Sequence, residues 1–139
     1  MGFRFASLGS GSRGNATLVE AGDTCVLVDC GFAAREFVAR CECIGFDPGR
    51  LSGILVTHEH GDHVRGLEVL TRRHPVPVFA TAGTWSALPV RVGSGGELVS
   101  GRELVLGALR ILPVATSHDA REPVAMVVDD GTHRVAVCT

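Results

Sequence analysis

The chain has 139 residues, 45% of them hydrophobic and 20% charged, with a formal net charge of -2. That length buries one core, the apolar content excludes intrinsic disorder, and the charge excludes a protein that binds nucleic acid through a basic tail or stripe. All 13 basic residues are arginine, a side chain that suits bidentate contact with phosphate wherever one faces a site.

In chain order, Phe3 to Leu8 reads as a first strand and is followed by Gly9-Ser10-Gly11-Ser12-Arg13-Gly14. This spells the G-x-G-x-x-G fingerprint of dinucleotide-binding folds, and Asp29 follows at about the ~20-residue distance of a ribose ligand. The fingerprint needs a helix between its glycines and the acidic residue. Instead, Ala16 to Glu20 and Cys25 to Asp29 read as strands joined by the turn Ala21-Gly22-Asp23. A hairpin fits that interval and a crossover helix does not, so the dinucleotide reading fails. A glycine-rich turn remains, with Ser10, Ser12 and Asn15 as candidate substrate contacts.

A helix is expected after Gly31, with Phe32, Phe37 and Val38 on one face and Gly45 near its end. Asp47-Pro48-Gly49 reads as a turn, and Gly53 to Thr57 as a buried strand. A second helix is expected over Val64 to Arg73, ended by Pro75 and Pro77, then a strand at Val78 to Ala80 and a short helix at Thr84 to Leu88. Strands follow at Leu104 to Leu106, Leu109 to Val114 and Val124 to Val128, and Asp130-Gly131 turns into Arg134 to Cys138. Strands interleaved with helices predict an α+β fold of sheets covered by helices.

No apolar run reaches the ~20 residues that span a bilayer, and the start of the chain lacks the apolar centre of a secretory signal. The five cysteines are odd in number and irregularly spaced. Reduced thiols and a cytoplasmic location are therefore expected, with no membrane partner. Cys41-Glu42-Cys43 lacks the C-x-x-C spacing of a zinc or redox pair and reads as structural.

The chemistry concentrates in His58-Glu59-His60-Gly61-Asp62-His63, directly after an apolar strand. In an extended segment His58 and His60 share a side because side chains alternate with period two. Asp62 and His63 fall where the next helix starts, which suits two adjacent metals, one on the paired imidazoles and one on the Asp-His pair. Such ligands favour zinc or a similar transition metal over calcium or magnesium. The H-E-x-x-H motif of metalloproteases is excluded, since the residue four after His58 is Asp62. His118, in a polar loop after an apolar run, is the candidate third imidazole. His74 and His133 read as a helix terminus and a turn neighbour. Asp29, at a strand end, reads as a carboxylate that orients the histidine loop rather than a ligand.

These residues resemble the metallo-β-lactamase fold superfamily. Ser7 to Ala16, Val56 to His60 and Ser117 to Pro123 resemble its YycJ/WalJ branch. The resemblance implies an αββα sandwich, with residues 1–139 forming a single incomplete domain, the N-terminal portion only. It implies that His58, His60 and His118 hold one metal and Asp62 and His63 a second, two divalent ions (zinc or manganese) in the family. It implies a metal-dependent 5′ to 3′ exonuclease with DNA as substrate, in which Asp62 is the catalytic residue that handles the proton of the attacking water. Arg13 and Arg121 are candidates to approach substrate phosphates.

In the family, an Asp that bridges the metals follows a strand like Val135 to Thr139, and a final His comes much later. The sequence holds neither, so a truncated half is expected, with most strands of the second sheet missing. The alternatives left open are one metal in this chain, self-association through uncovered sheet surface, and an inactive or non-enzymatic metal-binding fragment. A metallo-hydrolase of small esters, thioesters or lactams is equally compatible with the same water chemistry.

Overall fold

A computed structural model describes residues 2–138. The chain begins with strand β1 (Phe3–Gly9), the hairpin β2 (Ala16–Ala21) and β3 (Thr24–Val28), and helix α1 (Ala34–Cys43). Strand β4 (Gly53–Leu55) leads into α2 (Gly61–Val64) and α3 (Leu67–Arg73), then β5 (Val78–Thr81) and α4 (Ala82–Ala87). The remainder is all strand: β6 (Gly95–Leu98), β7 (Leu104–Leu106), β8 (Leu109–Ala115), β9 (Val124–Asp129) and β10 (Arg134–Val137).

The strands form two sheets, one ordered β1-β2-β3-β4-β5-β6 and one ordered β10-β9-β8-β7. In the first, β1 to β3 are antiparallel and β3 to β6 parallel, as hairpins and helical crossovers require. The second is antiparallel throughout. Four strands of the second sheet are present among the described residues.

Two cores follow from the alternation of side chains. Phe37, Cys41, Leu67 and Leu70 of the helices pack on Leu18, Leu27, Ile54 and Ala80 of the first sheet. Val19, Val26, Val28 and Leu55 face the other way, onto Leu109, Ile111, Met126 and Val128 of the second sheet. The result is a helix layer, a sheet and a second sheet. Val105 and Val114 are exposed on strands of that second sheet.

Two elements depart from the expected pattern. The single helix over Val64 to Arg73 is instead α2 and α3, broken at Gly66, whose N–H donates to the Cys30 carbonyl at 2.9 Å. A side chain there would overlap the Phe32 carbonyl, so the chain bends to dock on the loop after β3. Strand β6 was not expected from Gly95-Gly96-Glu97-Leu98. It forms by parallel pairing with β5, where Gly95 lies against Val78 and the Trp85 indole N–H donates to the Gly96 carbonyl at 2.9 Å.

Among the described residues no helix is long and apolar enough to cross a membrane. The five cysteines are free thiols, and burial pushes Cys25 and Cys30 up to about 12.

Candidate metal centre

The cluster is built where β3 and β4 end, at the carboxyl edge of the parallel strands, the usual place for a site in such sheets. After β4 the chain bends at Thr57, the His58 and His60 rings lie 4.7 Å apart, and α2 then brings the His63 ring to 4.0 Å from that of His58. His118 comes from the loop after β8, in the other sheet. Its ring lies 4.5 Å from that of His58 and 5.4 Å from that of His60, centroid to centroid. One ligand atom from each of these three histidines falls within 4.8 Å of the others.

The donor tautomers follow from the hydrogen bonds beneath. Asp29 is 1% exposed and receives three donors: the Thr57 N–H at 2.8 Å, the Thr57 hydroxyl at 2.7 Å, and His63 Nδ1 at 2.6 Å. Because the hydroxyl's single proton goes to Asp29, its contact with His58 Nδ1 at 3.0 Å makes that ring nitrogen the donor. Both His58 and His63 therefore carry their proton on Nδ1 and present Nε2 lone pairs. His58 Nε2 is buried without a hydrogen-bond partner. An orphaned buried lone pair costs stability unless something accepts it, and a cation held with two further imidazoles fits that need. His63 Nε2 lies 3.6 Å from Asp62 Oδ2, which makes an adjacent two-donor pair.

The electrostatics favour a neutral imidazole at His58 and a proton at His63. Burial, then the neighbouring imidazoles, pushes His58 down to about 4. Burial also opposes the charged form of His63, but its bond to Asp29 outweighs this and raises it. Asp29 itself is pushed up by burial and pulled back by His63 and Thr57. Its backbone is left-handed at φ 64, a conformation Asp tolerates better than most residues.

Loops fix the remaining positions. The Arg121 N–H donates to Glu59 Oε2 at 3.0 Å, tying the His118 loop to the histidine motif. The Val124 N–H donates to the Thr57 carbonyl at 3.0 Å, which joins the two sheets beside the site. Gly31 admits no side chain, since a Cβ would overlap the Asp62 carbonyl. Gly9 and Gly14 pack against the Phe32 ring, and Gly11 has φ 119. The glycine-rich turn is therefore a packing device at the site's rim.

A groove of about 620 Å³ opens over the cluster, lined by His58, His60, Asp62, His63 and His118, with Ser10 and Asn15 on the glycine turn. Arg13, Arg121 and Ser12 do not line it. His133 stacks on Phe3 at 5.6 Å, and His74 ends α3, both away from the cluster. Sequence reasoning missed Thr57, the hub beneath the ligands, and Glu59. It noted Asn15 only as a substrate contact.

The Metallo-beta-lactamase superfamily matches residues 9–138. An exodeoxyribonuclease YycJ of Bacillus anthracis is 33% identical over all of this chain and 54% of its own length. An exodeoxyribonuclease WalJ of Streptococcus pneumoniae is 32% identical over 88% of this chain and 48% of its own. The chain thus spans about half the length of these relatives. Among solved structures, the Rm3 metallo-beta-lactamase superposes with a TM-score of 0.78 at 23% identity, covering 95% of this chain and 56% of that one. The MIM-2 metallo-beta-lactamase gives a TM-score of 0.75 at 21% identity, covering 88% and 53%. The match over residues 9–138 shows that the chain belongs to the metallo-β-lactamase superfamily, and its likeness to these exodeoxyribonucleases fits a YycJ/WalJ-like branch.

Proposed function

We propose that the protein is a metal-dependent phosphodiesterase that removes nucleotides from DNA in the 5′ to 3′ direction. The observation that carries this reading is the likeness to an exodeoxyribonuclease along the whole chain, at 33% identity, with the clustered histidines lining a groove. His58, His60 and His118 would hold one divalent ion and Asp62 with His63 a second, zinc or manganese. Such ions, when bound, supply Lewis acidity to a phosphate oxygen and bring the pKa of water toward ~7.

The chain's own residues do the rest. Thr57 and Asp29 keep the ligand tautomers fixed, so no ring has to reorient during turnover. Asp62, with its side chain 30% exposed at the groove, is the residue assigned to take the proton of the attacking water. Ser10, which also lines the groove, would donate to a phosphate oxygen.

The test is release of mononucleotides from 5′-labelled duplex DNA by the purified protein with manganese or zinc. Nitrocefin and a thioester are assayed in parallel. Nucleotide release that Asp62→Asn reduces by at least 100-fold supports the reading. Hydrolysis of the lactam or thioester without nucleotide release under either metal overturns it.

A further inference from the structure

We infer that Asn15 is a positioning residue for the Asp62–His63 pair, holding both donor atoms through one amide group. The inference rests on the proposal that this pair binds a second cation. Asn15 lies in the glycine-rich turn, 47 residues before Asp62, and its side chain makes more contacts than a turn needs. Its Oδ1 accepts from the Gly11 N–H at 3.0 Å, and its Nδ2 donates to the Gly11 carbonyl at 2.8 Å. Those two bonds complete the turn.

The same Nδ2 also lies 3.1 Å from the Asp62 carbonyl, 3.3 Å from Asp62 Oδ2 and 3.2 Å from His63 Nε2. An amide carries two N–H groups. One serves Gly11, and the other is shared among these three acceptors. Two of the three are the donor atoms of the proposed second site. Meanwhile the Asn15 N–H donates to the Asp62 carbonyl at 2.8 Å, and the Gly31 N–H donates to the Asn15 carbonyl at 2.9 Å. Asn15 thus joins the glycine turn, the start of α2 and the loop after β3.

The chemistry of the amide suits this place. His63 Nδ1 is committed to Asp29, so Nε2 offers a lone pair, and an amide N–H meets it without adding charge. When that lone pair is given to a cation, the N–H is left to the Asp62 carboxylate, whose rotamer it then fixes. A purely structural asparagine would touch Gly11 alone. Among the described residues Asn15 makes no hydrogen bond to His58, His60 or His118, so the two sites should respond differently to its loss.

The test is a zinc titration of the purified protein and two variants, followed by histidine side-chain ¹⁵N spectra that report each imidazole separately. In the metal-free protein, Asn15→Ala is expected to shift His63 Nε2 and leave His58 in place. On titration, this variant should lose about 10–100-fold in affinity at Asp62–His63, with His58, His60 and His118 within twofold of wild type. Asn15→Asp retains the shape and the acceptor for Gly11 but puts an oxygen where the N–H stood, facing the Gly11 and Asp62 carbonyls and Asp62 Oδ2, so it too should shift His63 Nε2 in the metal-free protein and leave His58 in place. It keeps the test decisive if the alanine variant does not fold. Equal effects on both sites, or an unmoved His63, overturn the inference while the two-cation proposal stands. If wild-type His63 never responds to zinc, the second site and the inference fall together.

Discussion

Asp29 Oδ2 and His63 Nδ1 lie 2.6 Å apart, with side-chain exposures of 1% and 5%, so a carboxylate and an imidazole are sealed together beneath the groove. Asp29→Asn tolerates the same left-handed backbone but replaces one acceptor with a donor. That donor must face the Thr57 N–H, the Thr57 hydroxyl or His63 Nδ1–H, each of which is also a donor. The variant should lose about 2–4 kcal/mol, measured by urea unfolding of the metal-free protein.

Gly31 and Gly61 form a matched pair for a packing test. A methyl at Gly31 overlaps the Asp62 carbonyl and approaches Asn15, whereas a Cβ at Gly61 meets nothing within 4 Å. Gly31→Ala should cost about 3 kcal/mol or more, and Gly61→Ala should stay within about 0.5 kcal/mol of wild type. Thermal unfolding of both variants distinguishes them.

Glu20 predicts an acid-dependent loss of stability. Burial raises its carboxyl, but hydrogen bonds from Arg4 and Arg50 outweigh that and hold it below the usual glutamate range. Arg50 donates to Oε2 at 2.6 Å, and Arg4 pairs with Oε1. A folded-state carboxyl held low stabilises the fold above the ordinary glutamate range and loses that contribution as pH falls through the lowered value. Glu20→Gln should therefore be less stable than wild type by about 1 kcal/mol at pH 7. The gap should narrow below the ordinary glutamate range and close only below the lowered value, which unfolding curves at pH 7, 5 and 3 would follow.

Zinc should raise the melting temperature through the three-histidine site. A ligand at 100 times its Kd adds about 2.7 kcal/mol, and His58→Ala or His118→Ala should abolish that gain. His74→Ala and His133→Ala, whose rings lie elsewhere, should keep it. Differential scanning fluorimetry with and without zinc reads all four.

The ligand cluster was legible because His58, His60, Asp62 and His63 are adjacent and the strand-to-helix change at Gly61 fixes their sides. What supports them was not. Thr57 reaches Asp29 across 28 residues of sequence, and Asn15 reaches Asp62 across 47, so no local spacing reveals either contact. Strand β6 escaped because two glycines carry little strand preference. Its form comes from the β5 ladder, which lies outside any sequence window. The continuous helix expected through Arg73 failed at Gly66 for a similar reason, since the break answers to the loop at Cys30 and Phe32.

The join between the Val124 N–H and the Thr57 carbonyl carries a consequence for assembly. His58 and His60 leave the first sheet, while His118 leaves the second. Each sheet can acquire its hydrogen bonds alone, yet neither holds three imidazoles. A slip of one residue between β8 and β9 would reverse the faces of Leu109 and Ile111 and carry His118 away from its partners. The triad is therefore a gauge of registry between layers, complete only when the two sheets are docked. Its affinity for a cation would weaken in any variant that loosens the contact between the sheets, however far that change lies from a histidine.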